Sequence, residues 1–219
     1  MAHVLIIGAS SGIGFKATKI ALEREHQVRA FSRSANRIEL DHPRLEKCAG
    51  DARIDRDVST ALEDIDVVIA TLGIPALPSA MLSKTTLFSD STQILVSQME
   101  AATIRRLICV TGFGAGDSRN AVGCLQRIPF ELVLGRAYDD KDRQERVIRS
   151  SRLDWTIVRP VILTDGPRTD RYDVVVDPSQ WQNGLISRAD VADFLVRQID
   201  SDHYVGKTPL LRSDRFCFV

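Results

Sequence analysis

The chain has 219 residues, 44% of them hydrophobic, and 29 Lys and Arg balance 29 Asp and Glu for a formal net charge of zero. That length supports one sizeable core, so a single domain over residues 1–219 is expected. Balanced charge argues against a nucleic-acid surface, and no run approaches the roughly 18 apolar residues of a membrane helix; a cytoplasmic protein with a small-molecule partner is expected.

In chain order, Val4, Leu5, Ile6 and Ile7 form a short apolar run of the kind found in strands buried on both faces of a parallel sheet. With that strand starting by about residue 3, no room is expected for a signal peptide. The run ends at Gly8, and Ile13, Ala17, Ile20 and Ala21 then follow helical spacing, so "GASSGIG" joins strand to helix. Backbone N–H groups and the helix dipole at such a junction make a site for an anion such as a pyrophosphate, and glycines let it approach. An ordinary tight turn is the alternative. "QVRAF" is a second strand, and "LEKCAGD" a third, after a helical or irregular segment near Ala35 to Leu40. "DVVIAT" (Asp66 to Thr71) is a fourth, Thr85 to Ala102 a helix with Phe88, Ser91, Leu95 and Met99 on one face, and "RLICV" a fifth strand.

"TGFGAGDSRN" follows as a glycine-rich connection at a strand's carboxyl end, where open α/β sheets place ligands. A helix from about Asp139 to Ser151, a strand "DWTIVRP", a loop with at most a short strand in "VILTDGPRTDRYDVVVD", and a helix from Ser187 to Ile199 complete the pattern. This alternation predicts an α/β fold, a Rossmann-type doubly wound parallel sheet with helices on both faces.

In that architecture the residue about 20 positions beyond the glycines meets the adenosine ribose, an acid favouring NAD and a base NADP. Here the second strand ends in "FSRS", without Asp or Glu, and Arg33 lies 19 residues after Gly14. A guanidinium can pair bidentately with a 2′-phosphate and Ser34 can add a hydroxyl, so NADP is expected. The alternative makes Arg33 a solvated loop cation; Arg37 is a second, weaker candidate. Cys48, Cys109, Cys124 and Cys217 show no C-x-x-C pairing, and His3, His26, His42 and His203 show no ligand spacing. No metal site is expected.

Taken in order, "GASSGIG", "FSRS", "GDA", "ATLG", "VTGFGAG", "KDRQE" and "LDWTIVRP" resemble an atypical branch of the short-chain dehydrogenase/reductase superfamily. These are NAD(P)H-binding proteins similar to NmrA and to biliverdin reductase B/flavin reductase. The resemblance implies that Gly8, Ser10, Ser11, Gly12, Ile13 and Gly14 seat the dinucleotide. It further places Asp51 and Ala52 near the adenine, Leu72 and Gly73 along a ribose, and Pro160, Val161 and Ile162 against the nicotinamide carboxamide. For Asp51, capping of the following helix is the alternative.

Ordinary members of the superfamily use Ser or Thr after the fifth strand and Y-x-x-x-K on the next helix, the Lys lowering the tyrosine pKa and holding the nicotinamide ribose. Thr111 matches the hydroxyl position and Lys141 the lysine, but Ala137 stands where the tyrosine belongs and Tyr138 is one place late. An i, i+3 pair shares a side of a helix, so Tyr138 stays a candidate proton donor, with packing as its alternative. For Lys141 the alternative to a ribose ligand is a solvated salt bridge to Glu145. Members resembling flavin reductase can dispense with the tyrosine, because a flat acceptor stacked on the nicotinamide takes its proton from solvent. Phe113 and Trp181 are candidate walls for such a substrate, or core residues. The expected function is reduction of a flavin, quinone or related conjugated or carbonyl acceptor by NADPH. The competing expectation is an NADP-sensing regulator without turnover. Sugar-epimerase chemistry is disfavoured because it needs the same Y-x-x-x-K pair.

Overall fold

The computed structural model describes residues 1–73, 85–121 and 138–214; Ala137, Cys124 and Cys217 lie outside them. Five strands foreseen from the sequence form the sheet's first part: β1 (His3–Ile7), β2 (Gln27–Ser32), β3 (Leu45–Ala49), β4 (Val67–Ala70) and β5 (Arg106–Val110). They continue into β6 (Asp154–Pro160), and β7 (Ile162–Thr164), β8 (Tyr172–Val175), β9 (Leu185–Ser187) and β10 (Leu210–Ser213) follow. The main sheet has the order β3-β2-β1-β4-β5-β6-β10-β8. Its neighbours run parallel except for antiparallel β10 and β8. This is the doubly wound Rossmann order, whose direction reverses between β1 and β4.

Strand β1 shows why the sheet is covered on both sides. Val4 and Ile6 join one core with Val28 and Ala30, and Leu5 and Ile7 join the other with Phe31 and Val68. On the first face lie α1 (Gly12–Glu23), through Ala17, Ile20 and Ala21, and α5 (Arg188–Arg197), through Val191, Ala192 and Leu195. The second face is covered by α2 (Asp55–Ala61) and α3 (Leu87–Ala101), through Val58, Ala61, Leu95 and Met99. A further helix at 138–150, α4, adds Ile148 to this layer. Each fully buried Leu or Ile contributes about 1.5–3 kcal/mol, so the alternating pattern fixes the strand's register.

Strands β7, β9 and β10 lie beyond what periodicity reveals. At three or four residues they are too short to show a repeat, and pairing creates them: β10 is held between β6 and β8, and β7 pairs with β9 in a separate two-stranded ladder. Among the described residues no helix is long and apolar enough to cross a membrane.

Ladder register aligns the carboxyl ends of the central strands. Ile7 lies opposite both Phe31 and Ala70, Ala70 opposite Cys109, and Cys109 opposite Ile157. The loops after β1 to β6 therefore open along one edge.

Candidate functional site

Those loops enclose a cavity of about 580 Å³ lined by residues of every strand end from β1 to β6. Its floor is the turn after β1. Gly8 and Gly12 have φ of +85° and +57°, in the left-handed region that favours glycine. A Cβ on Gly8 would lie 2.9 Å from the Thr71 carbonyl oxygen, so only glycine lets β1 and β4 close at this point. Ser10, Ser11 and Ile13 complete this part of the lining. Gly14 does not line it: a Cβ there would press on the Gly8 carbonyl, so its bareness serves the packing of α1 against β1.

Three features of this floor suit an anionic dinucleotide. The α1 N-cap, Ser11, makes no side-chain capping bond and the first turn carries no acid, which leaves the helix-start N–H groups to a ligand. A Cβ on Gly12 would meet nothing nearer than Arg188 Cδ at 4.0 Å, so its backbone is open to an approaching group. The buried Ser32 hydroxyl, also in the lining, has no hydrogen-bond partner among the described residues.

At one end of the cavity stand exposed Arg33 and half-buried Ser34. Beside them Asp51 and Ala52 line the wall, and Asp51 accepts from Arg53 Nε at 3.2 Å, Nη2 at 2.9 Å and its backbone N–H at 3.0 Å. The Arg53 guanidinium holds the Asp51 carboxyl below the usual carboxylate range. Asp51 does not cap α2, whose N-cap is Ile54; instead Asp57 reaches back to accept from the Asp51 N–H at 2.9 Å. Leu72 and Gly73 line the middle, while Arg37 stays outside the lining.

The other end is built on Thr111, Lys141 and Pro160. Lys141 Nζ donates to the Thr111 carbonyl at 2.5 Å and sits 4.5 Å from the centre of the Phe88 ring. Burial pushes its ammonium down to about 8. Thr111 Oγ1 donates to Glu145 Oε1 at 2.8 Å, and Glu145 receives the fully buried Arg159 through Nε at 3.0 Å and Nη2 at 2.5 Å. Glu145 is thus taken by Thr111 and Arg159, inside the protein rather than on a solvated face. With its hydrogen committed to Glu145, the Thr111 hydroxyl can act toward any further partner only as an acceptor.

Several residues proposed from the sequence fall outside the lining. Tyr138 turns its hydroxyl toward Gly112, where a Cβ would come within 2.9 Å of Oη, and burial pushes the phenol up to about 12. Phe113 and Trp181 are core residues; Trp181 donates from Nε1 to the Val175 carbonyl at 3.2 Å and lies 5.1 Å from the Arg159 guanidinium. Val161 is buried in the same core, and Ile162, starting β7, is exposed. The resemblance gives these two a role through backbone N–H and C=O; their side chains are carried away because the chain turns into the β7–β9 ladder directly after Pro160.

Ser32, Leu87, Leu163 and Arg188 line the cavity without having been foreseen. Ser32 stood in the quoted "FSRS" and could have been found there. The other three come from elements that only tertiary folding brings to this edge. Asp140 was missed as well: its carboxylate accepts from the Phe88 N–H at 2.8 Å and Ser89 Oγ at 2.5 Å, fastening the start of α3.

Comparison with known proteins agrees with this fold. Among solved structures, ChuY, an anaerobillin reductase from Escherichia coli O157:H7, superposes with a TM-score of 0.80 at 24% identity, covering 97% of this chain and 98% of that one. A short-chain dehydrogenase/reductase from Veillonella parvula in complex with NADP gives 0.83 at 17% identity, covering 99% and 97%. An uncharacterized sugar epimerase, YhfK, of Bacillus subtilis is 26% identical over 205 residues, 90% of this chain and 87% of that protein. The profile of the NAD(P)H-binding family matches residues 8–202, and the chain belongs to that family.

Proposed function

We propose that the protein is a reductase that uses NADPH to reduce a flat conjugated acceptor of the flavin, quinone or bilin kind. When bound, the dinucleotide supplies a hydride from its nicotinamide ring. The chain's own residues bind and orient. N–H groups at the start of α1 receive the diphosphate, Arg33 and Ser34 the 2′-phosphate, and Lys141 the ribose hydroxyls beside the nicotinamide. Thr111, fixed by Glu145 and Arg159, accepts from the carboxamide.

The observation that carries this reading is the composition of the nicotinamide end: an ammonium and a hydroxyl line it, while the Tyr138 phenol does not. A site of that kind suits acceptors whose proton can come from solvent, where orientation does most of the catalysis. The ChuY likeness supports the same acceptor class. The competing reading is a regulator that binds NADP without turnover, and one experiment separates the two. Absorbance loss of NADPH is followed with flavins, quinones, simple carbonyl compounds and anaerobillin. Turnover with a conjugated acceptor and none with simple carbonyls is expected. Tight NADPH binding with no turnover across the panel would favour the regulator.

A further inference from the structure

Arg188 reaches the cavity from an element far along the chain, and the small ladder explains how. Strand β7 pairs with β9 so that Thr164 lies opposite Ser187, which brings the next residues, Asp165 and Arg188, side by side. Arg188 Nη1 donates to Asp165 Oδ1 at 2.9 Å. On its way the side chain passes over the glycine turn, with Cδ as the nearest neighbour of a Cβ placed on Gly12. An anion held by the N–H groups at Gly12 and Ile13 therefore lies within reach of the guanidinium by rotation of its outer torsions alone.

Energetics favour an exchange of partners. The Asp165 side chain is 83% exposed and that of Arg188 28%. An ion pair with so hydrated a carboxylate contributes little. A diphosphate offers two charges and a bidentate match to the guanidinium in a less hydrated setting.

We propose that Arg188 closes over the diphosphate of the bound dinucleotide and that Asp165 is the internal anion it leaves on binding, an inference that rests on the dinucleotide reading above. Arg188 then raises affinity for NAD and NADP alike, whereas Arg33 discriminates between them. Asp165 holds affinity down by competing for the same guanidinium.

The test is calorimetric titration of wild type, Arg188→Gln and Asp165→Asn with both dinucleotides, with melting curves of the free proteins confirming that each variant is folded. Arg188→Gln is expected to weaken both about tenfold, the worth of a charge-assisted pair, without changing their ratio. Asp165→Asn is expected to tighten both about twofold to threefold, and it carries the test alone if Arg188→Gln fails to fold. An Arg188→Gln protein within twofold of wild type, a loss confined to NADP, or weaker binding by Asp165→Asn would overturn the proposal. A wild-type protein that binds neither dinucleotide would instead remove the reading beneath it.

Discussion

On the proposed reading, Arg33 discriminates between the two dinucleotides with one side chain. It stands exposed at the cavity rim beside Ser34, while the nearby acid, Asp51, is tied up by Arg53. Arg33→Ala is expected to weaken NADP by about tenfold or more, with NAD within about twofold, in parallel calorimetric titrations. Equal losses for both would deny it a 2′-phosphate role. Lys141 gives a pH signature. Its folded value of about 8 lies below the ordinary 10.5, so between these two values the unfolded chain holds more protons than the folded one. Stability owed to this residue therefore rises with pH across that window. Unfolding free energies of wild type and Lys141→Met, measured from pH 8 to 10.5, are expected to diverge in favour of wild type. A constant difference would contradict a buried ammonium. Of these residues Arg33 was legible as a lining residue, because its place at the end of the second strand follows from distance along the chain. The partners of Lys141 were not, since Glu145 looks like a solvated i, i+4 partner until Thr111 and Arg159 are seen to claim it.

Among the elements, α3 depends on a cap supplied by α4. Thr86, its N-cap, makes no side-chain bond, and Asp140, 52 residues away from Phe88, accepts from the first turn instead. Asp140→Ala strands a buried donor at Phe88 and a half-buried one at Ser89 and is expected to cost about 1–2 kcal/mol. For a chain of this size each kcal/mol lowers the melting temperature by about 2–4 °C. Amide exchange at Phe88 should quicken with the loss, and an unchanged melting curve would refute the cap. Long helices and central strands were readable because their apolar spacing repeats over several turns or alternates across two cores. Asp140 was not, because nothing in "DDKDRQE" tells a solvated acid from one that reaches another helix. Val161 and Ile162 were assigned to the site from the family resemblance, through their backbone groups, and the turn into the β7–β9 ladder that directs their side chains elsewhere was invisible in so short a run.

For the molecule as a whole, the consequential feature is that six strand ends meet at one edge of a sheet whose order reverses between β1 and β4. That reversal parts the loops and leaves a cleft. The fold class was legible because alternation of strand and helix patterns admits few other architectures. So was the glycine floor, since bare residues between a buried strand and an amphipathic helix have few other uses. The acceptor's walls were not legible: aromatic residues look alike in sequence whether they face a core, as Phe113 and Trp181 do, or a ligand. The central claim, that this cleft seats a phosphorylated nicotinamide dinucleotide, is tested most directly by fluorescence titration of the purified protein with NADPH. Saturable binding with a Kd of about 10 μM or below, several-fold tighter than for NADH, is the predicted result. No saturable response to either nucleotide would contradict it.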